Sequence, residues 1–266
     1  MPNNESAAAP SKIDDILYGA LKMYQPKEGA GPRVNVDTIL LAYFARLPRR
    51  ARAIELGCAQ GAVSLILAKK RREERRGHDL DLLLHPAIDA IDIDADLIEL
   101  ARRNAELNGL SGDVSFFASD LREHRKNFAA GVYDVVVMNP PYDEQGRSRP
   151  SPNDAVARAK HGESCSLAEV VAAAKFLLRD GGKFFLVMRA KRTSELFVLL
   201  SENNIRPKRL LAVHPKPERD ASVVLVEAVR ASGEGLIIEP PLLIYGEDGE
   251  YTEKLLAAYR MGECRS

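Results

Sequence analysis

The residues with the clearest chemical potential form one short run, Asn139-Pro140-Pro141-Tyr142, directly after an apolar segment. The prolines restrict the backbone, so the Asn139 amide and the Pro140 carbonyl are held in one geometry. Two oxygens side by side can accept both hydrogens of a planar NH2 group, and Tyr142 offers a flat face on which a ring can stack. Such acceptors stabilise an electron-rich nitrogen more in the transition state than in the ground state. The run therefore predicts chemistry on the amine of a planar substrate, without a strong base.

A glycine turn lies upstream of this run, where Gly57-Cys58-Ala59-Gln60-Gly61 follows an apolar segment and opens a helical pattern. Small residues let the backbone approach a ligand closely, and a helix N-terminus offers unpaired N–H groups. The spacing is not the GxGxxG pattern of dinucleotide-binding enzymes, so a nicotinamide enzyme is disfavoured. The turn indicates a ligand site, although a plain strand-to-helix turn would have the same pattern.

Two carboxylates follow the next two predicted strands. Asp92 is placed to accept hydrogen bonds from both hydroxyls of a ribose, and Asp120 could accept from an adenine amino group. Asp94 competes with Asp92 for the first role, but its position also suits the N-cap of the following helix. Carboxylates after successive strands, beside a glycine turn, predict a ligand that carries a nucleoside.

Alternating apolar and amphipathic segments must position these groups. The predicted strands are Ala53–Leu56, Ala87–Asp92, Val114–Ala118, Val132–Met138, Lys183–Met188, Pro207–Val213 and Ser222–Arg230. The predicted helices are Ala62–Lys70, Ala95–Asn108, a helix from the Ser166 capping box to about Leu178 that Asp180-Gly181-Gly182 ends, and Thr193–Asn203. Such alternation is typical of right-handed βαβ units in an α/β layer structure.

Composition narrows the class of protein. The chain has 266 residues, 45% of them hydrophobic and 29% charged, which is ordinary for one globular domain with a small extension. Its apolar runs are too short to cross a bilayer, its first residues lack the apolar core of a signal peptide, and its three cysteines form no CxxC pair. We therefore expect a soluble cytoplasmic protein without a metal site.

The charge balance is uneven along the chain. Basic and acidic residues number 38 each, which argues against a surface that is basic throughout. Residues 142–219, however, hold 15 basic and nine acidic residues, directly after the run that should hold the target amine. A local basic rim is sufficient to bind a structured RNA from which one base is extruded, so the neutral total does not exclude such a partner.

These motifs resemble a known family. Gly57–Gly61, Asp92, Asp120 and Asn139–Tyr142, in this order, resemble the class I S-adenosylmethionine-dependent methyltransferases with an NPPY motif. The flanking segments 36–42, 149–161 and 242–252 are similar to the bacterial tRNA (adenine-N6) methyltransferase family, which modifies adenosine 37 of a valine tRNA, just 3′ of the anticodon. The resemblance covers nearly all of residues 15–260.

The resemblance implies a Rossmann-like α/β fold, with a mostly parallel seven-stranded sheet and helices on both faces. It implies transfer of a methyl group from S-adenosylmethionine to the N6 of an adenine in tRNA. It also divides the chain into a disordered N-terminus (1–12), a segment that covers the cofactor (13–52), the methyltransferase domain (53–232) and a C-terminal extension (233–266).

Site residues follow from the same resemblance. It implies catalytic roles for Asn139, Pro140 and Tyr142. It implies contacts with the cofactor for Asp37, Glu55, Gly57, Cys58, Ala59, Gly61, Asp92, Ile93, Asp120, Leu121 and Asn139. Contacts with RNA are expected for Arg147, Arg149, Arg158 and Lys160. Ala59 departs from the family, which commonly has a glycine there, and Arg71–His85 is interpreted as a surface insertion that could touch RNA.

Other functions remain open at this stage. Release-factor methyltransferases, which methylate the N5 of a protein glutamine, also use NPPY, but they carry an N-terminal helical domain, and only about 50 residues precede Gly57 here. Methylation of guanine N2 in rRNA or of DNA adenine is compatible with the same core motifs. A non-catalytic adaptor is a third class, which the complete NPPY run and the acidic pair disfavour. The oligomeric state is not predicted.

Overall fold

The computed structural model describes residues 12–27, 31–48, 50–74, 88–140 and 165–262. Its strands are β1 (Ile13–Ile16), β2 (Leu21–Tyr24), β3 (Ala53–Leu56), β4 (Ile88–Asp92), β5 (Val114–Ala118), β6 (Tyr133–Met138), β7 (Leu178–Arg189), β8 (Ile205–His214), β9 (Val223–Arg230), β10 (Ile237–Ile238) and β11 (Leu242–Leu243). Its helices are α1 (Val36–Phe44), α2 (Ala62–Glu74), α3 (Ala95–Leu107), α4 (His124–Asn127), α5 (Leu167–Leu177), α6 (Thr193–Glu202) and α7 (Glu253–Tyr259).

One large sheet organises the described residues. Its strand order is β10-β8-β9-β7-β6-β3-β4-β5, with β11 also paired to β8, while β1 and β2 form a separate antiparallel hairpin. Only β9 is antiparallel to its neighbours in the large sheet. Because β3 lies between β4 and β6, the chain leaves β3 toward one edge and later returns to its other side. Ligands of open α/β sheets bind outside the carboxyl ends of strands at such a point.

Apolar side chains cover both faces of the sheet. Along β6, Val135 and Val137 pack into one hydrophobic core, whereas Val136 and Met138 pack into the other. Residues of α1, α2, α3 and α7 belong to the first core, and residues of α5 and α6 to the second. The predicted Rossmann-like fold, with a mostly parallel sheet between two layers of helices, is therefore confirmed.

The sheet has more strands than predicted. The seven predicted strands correspond to β3–β9, and the two-residue strands β10 and β11 bring the total among the described residues to nine. Both additions lie in residues 233–266, and both pair with β8 in parallel. The predicted boundary at residue 232 stays a prediction. The predicted disorder of residues 1–12 concerns residues that, apart from Lys12, lie outside those described.

Two predicted boundaries were wrong. The Ser166 capping box and the helix end near Leu178 are confirmed, but Asp180–Gly182 belong to β7 rather than to a helix stop. Pairing between Leu178 and Tyr133 starts β7 early, so cross-strand contacts override the local glycine signal. Arg71, predicted to begin a surface insertion, lies in α2 and is buried, with its guanidinium donating to the Ala51 carbonyl at 2.8 Å. The remainder of that insertion, from residue 75, lies outside the described residues.

Two asparagines of α3 fix the N-terminal hairpin in place. The Asn104 amide accepts from the Tyr24 N–H at 2.7 Å and donates to the carbonyls of Tyr24 and Gln60, both at 3.0 Å. One turn along the helix, Asn108 exchanges the same kind of hydrogen bonds with Lys22. These contacts hold β2 along α3, so the chain that follows β2 reaches the carboxyl edge of the sheet.

A buried carboxyl group joins β3 to α2. The Glu55 Oε2 accepts from the Ser64 N–H at 2.8 Å and also from the Ser64 hydroxyl. Burial raises the pKa of Glu55 to about 8, since desolvation outweighs the two hydrogen bonds from Ser64, and the nearby Asp92 raises it further. Glu55 is therefore mostly protonated at neutral pH, and it locks the helix that begins beside the glycine turn.

Replacing Glu55 with glutamine should remove a pH dependence of stability. Above about pH 4.5, the carboxyl ionises in the unfolded chain but stays protonated in the folded protein until about pH 8. The stability of the natural chain should therefore fall relative to Glu55→Gln by about 1.4 kcal/mol per pH unit within that window. Urea unfolding of both proteins from pH 5.5 to 8.5, without ligand, measures the difference. Stability curves that stay parallel across that range would contradict a neutral Glu55.

Candidate active site

A cavity of about 430 Å3 lies at the carboxyl ends of β3, β4 and β6. This volume is within the range of small-molecule sites. Eight of the residues assigned by resemblance line it: Glu55, Gly57, Cys58, Ala59, Asp92, Ile93, Asn139 and Pro140. Asp37, Gly61, Asp120 and Leu121 are not among its lining residues. Tyr142, Arg147, Arg149, Arg158 and Lys160 lie outside the described residues.

The glycine turn exposes its backbone to this cavity. Gly57 has a φ of +67°, and a Cβ there would have the Met138 methyl, at 3.8 Å, as its nearest neighbour. Ala59 also has a positive φ, +48°, a conformation that costs a residue with a Cβ about 1–2 kcal/mol. This explains why a glycine is favoured at the position where the sequence departs from the family.

Asp92 and Asp94 have different roles. The Asp92 carboxylate accepts from the Ala59 N–H at 2.8 Å and from the Asp94 N–H at 3.0 Å. The Asp94 side chain is the N-cap of α3 and accepts from the N–H groups of Asp96 and Leu97. Asp92 is thus joined to the glycine turn, whereas Asp94 completes a helix. A carboxylate has about four acceptor sites, so its two backbone contacts are compatible with binding a ribose diol as well.

Asp120, which was predicted to contact adenine, has hydrogen-bond and ion-pair partners within the protein. Its carboxylate caps the short helical turn Leu121–Glu123 and forms an ion pair with Arg122 at 2.6 Å. The hydrogen bond from the Arg122 side chain lowers the pKa of Asp120. Leu121 is buried in the second core. The contacts of Asp120 and Leu121 with a cofactor therefore stay predictions that the lining of the cavity does not support.

Asn139 directly follows β6 and contacts the N-terminal segment. Its Nδ2 lies 3.4 Å from the Thr38 Oγ1, and the Thr38 hydroxyl donates to the Asn35 Oδ1 at 3.0 Å. Asn35 is the N-cap of α1. Thr38 and Asn35 both line the cavity, as Arg33 does. Thr38 belongs to the segment 36–42 that carried the resemblance, but none of the three was predicted as a site residue. The Asn-x-x-Thr spacing could have indicated the cap, whereas no sequence signal connects Thr38 with a residue 101 positions away.

Arg33 fastens the same wall of the cavity. Its guanidinium pairs with Asp14 of β1 at 2.6 Å and donates to the Pro26 carbonyl at 2.8 Å. Gln25 donates to Asp14 and accepts from the Val34 N–H, so the hairpin and the chain before α1 form one connected unit. The expectation that this segment covers the cofactor gains support from this position, although the boundaries 13–52 stay a prediction.

Metal and thiolate chemistry have little support among the described residues. No cluster of three or more His, Cys, Asp or Glu side chains in the described ranges could hold a metal ion. Burial raises the pKa of the Cys58 thiol well above its ordinary value, so this cysteine is a thiol rather than a nucleophilic thiolate.

Among the residues that the structure describes, no helix is long and apolar enough to cross a membrane.

Gly61 should matter for packing rather than for ligand contact. A Cβ at Gly61 would lie 2.9 Å from the Phe116 ring and 3.1 Å from the Ala101 Cβ, whereas a Cβ at Gly109 would meet nothing within 4 Å. Both glycines have a positive φ. Gly61→Ala should therefore lower the free energy of unfolding by about 1–3 kcal/mol more than Gly109→Ala. Urea unfolding of the two variants measures this, and equal losses would contradict the packing role.

Curated relatives match most of the chain. A tRNA1(Val) (adenine(37)-N6)-methyltransferase from Aeromonas hydrophila is 25% identical over 224 residues, which cover 84% of this chain and 87% of the relative. A protein of the same name from Dyadobacter fermentans is 26% identical over 218 residues, covering 82% and 84%. These similarities agree with the resemblance carried by the motifs.

Solved structures support the fold. The crystal structure of a predicted O-methyltransferase from Agrobacterium tumefaciens superposes with a TM-score of 0.64 at 20% identity, covering 86% of this chain and 98% of that protein. The family model described as the methyltransferase small domain matches residues 33–203. This range contains the glycine turn, Asp92 and Asn139, which meet at one cavity. The chain therefore belongs to the methyltransferase small domain family and is an S-adenosylmethionine-dependent methyltransferase.

Proposed function

We propose that this protein transfers a methyl group from S-adenosylmethionine to the N6 of an adenine in tRNA, with adenosine 37 of valine tRNA as the target. One observation carries the proposal: Asn139 and Pro140 lie at the same cavity as the glycine turn and Asp92. A group that accepts hydrogen bonds from an amine thus lies beside the groups that suit a nucleoside. The names of the curated relatives supply the choice of tRNA and of adenine.

The cavity fits a nucleoside with an amino-acid tail. Gly57 lines the cavity without a side chain and so permits close approach of a ligand, and Asp92 offers carboxylate oxygens for a ribose diol. Ile93 lines the next part of the wall with a side chain that is 48% exposed, which suits an adenine ring. When bound, S-adenosylmethionine supplies a methyl group on a positively charged sulfur. We assign Gly57, Asp92 and Ile93 to its binding.

Asn139 and Pro140 would orient the target amine. The Asn139 Oδ1 and the Pro140 carbonyl each accept one N–H of the adenine N6, which favours the rehybridised nitrogen that attacks. Held in this way, the N6 nitrogen would take the methyl group that S-adenosylmethionine supplies, the carbon–sulfur bond would break, and one N6 proton would leave to water. Tyr142 would stack on the base. Arg147, Arg149, Arg158 and Lys160 would contact RNA phosphates.

Removing the Asn139 amide should abolish transfer. Asn139→Ala is expected to lower methyl transfer to unmodified tRNA at least about 100-fold, as for the loss of one preorganised hydrogen-bonding group in an active site. The affinity for S-adenosylmethionine should change little. Asn203→Ala is a matched control, because the Asn203 amide donates to the Leu199 carbonyl at the end of α6 and does not line the cavity.

Transfer of labelled methyl groups, together with calorimetric binding of the cofactor, measures both effects. Methylation of a release-factor glutamine but not of RNA would reverse the proposed substrate. Methylation of guanine N2 in rRNA would do the same. An Asn139→Ala variant with undiminished transfer to tRNA would contradict the role of the amide.

Asp92 and Asp94 offer a paired test of the cofactor site. Asp92→Ala should raise the dissociation constant of S-adenosylmethionine about tenfold or more, because hydrogen bonds to a charged group contribute about 1.5–3 kcal/mol. Asp94→Ala should instead lower the free energy of unfolding by about 0.5–2 kcal/mol, since it removes a helix cap. Calorimetry and urea unfolding of both variants separate the effects. A larger loss of cofactor affinity in Asp94→Ala would contradict the assignment.

A further inference from the structure

The first turn of α1 contains a chain of hydrogen bonds whose direction is fixed at one end. The Asn35 Oδ1 lies 3.0 Å from the Thr38 N–H and 3.0 Å from the Thr38 Oγ1. A backbone N–H can only donate, so the atom of Asn35 that faces it must be the amide oxygen. The orientation of the Asn35 side chain therefore follows from the cap itself.

The direction of the Thr38 hydroxyl follows from that of Asn35. Two oxygens at 3.0 Å need a proton between them, and Asn35 Oδ1 carries none, so the single hydroxyl proton of Thr38 lies on this contact. Thr38 is only 6% exposed, and its oxygen can now act only as an acceptor toward its other neighbours. The neighbour on its other side is the Asn139 amide, at 3.4 Å.

The orientation of the catalytic amide follows in turn. An accepting hydroxyl pairs with the NH2 group of Asn139 and disfavours its oxygen, so Nδ2 faces Thr38. The Oδ1 of the same planar group then points away from Thr38. The backbone N–H of Thr38 thus fixes the orientation of the Asn35 amide, the Thr38 hydroxyl and the Asn139 amide in turn.

We propose that Thr38 is a positioning residue that fixes the polarity of the Asn139 amide, so that the site presents an acceptor to its substrate. This inference rests on the proposed function and adds a basis for specificity to it. A substrate group that donates two hydrogens, such as an exocyclic amine, is matched by this arrangement. A group that presents only lone pairs, such as a carbonyl oxygen, would face the Asn139 oxygen and be rejected.

Loss of the Thr38 hydroxyl should misorient the Asn139 amide without preventing the binding of tRNA or of the cofactor. In Thr38→Val the side chain keeps its shape, but a methyl group replaces the oxygen that accepts from the Asn139 NH2 group. We expect kcat for methyl transfer to fall about tenfold or more, because a methyl group at position 38 no longer favours the amide orientation in which Nδ2 faces this side chain. KM for tRNA and the dissociation constant of the cofactor should change about twofold at most, in keeping with a role exerted through Asn139.

The kinetic test compares three variants of the full chain. Thr38→Ser keeps the hydroxyl and should retain a kcat close to that of the natural protein. Thr252→Val removes a hydroxyl that caps α7, outside the lining of the cavity, and should leave kcat unchanged. A Thr38→Val variant with an unchanged kcat would overturn the proposal. So would a Thr38→Ser variant as slow as Thr38→Val.

A spectroscopic readout decides the geometry without any RNA. In protein labelled with 15N-asparagine, the Asn139 side-chain resonance is identified by its absence from Asn139→Ala. Its Nδ2 protons should show nuclear Overhauser contacts to the Thr38 methyl group, and the resonance should shift in Thr38→Val but not in Thr38→Ser. The absence of those contacts would overturn the proposal. If the natural protein leaves tRNA unmethylated, the proposed function fails, and this comparison alone decides how the amide is positioned.

Discussion

The position of β3 between two parallel neighbours is the constraint on which the rest of the structure depends. Pairing of β3 with β4 on one side and β6 on the other brings three carboxyl ends to one edge of the sheet. The glycine turn, Asp92 and Asn139 follow those three ends, although they span more than 80 residues of sequence. The hydrogen bond from the Ala59 N–H to the Asp92 carboxylate joins the first two into one wall of the cavity.

The N-terminal segment lines the cavity and contacts Asn139. The asparagines of α3 hold the hairpin, and Arg33 and Gln25 hold the chain that leads into α1. The first turn of α1 then contacts Asn139 through Thr38. The segment thus both lines the cavity and contacts the Asn139 amide. Glu55, which lines the same cavity, is mostly neutral at neutral pH because it is buried.

Local patterns predicted the elements well, whereas contacts distant in sequence decided the details of the site. The strand before Gly57 and the capped helix after Asp94 follow from apolar periodicity and turn chemistry, and both are present. The choice between Asp92 and Asp94 needed the backbone contacts of each side chain. The ligand contact of Gly61 stays a prediction, whereas its close packing against Phe116 depends on a neighbour that only the folded sheet supplies. Thr38 was missed for the same reason, since nothing local relates it to Asn139.

The position of the transferred methyl group is the most direct test of the proposed function. The purified protein can be incubated with S-adenosylmethionine and unmodified valine tRNA, and the digested RNA analysed by mass spectrometry. If the proposed function is right, we expect N6-methyladenosine in the fragment that contains position 37 and no methylated guanine. Unmethylated RNA, with the label instead on a protein glutamine, would contradict it.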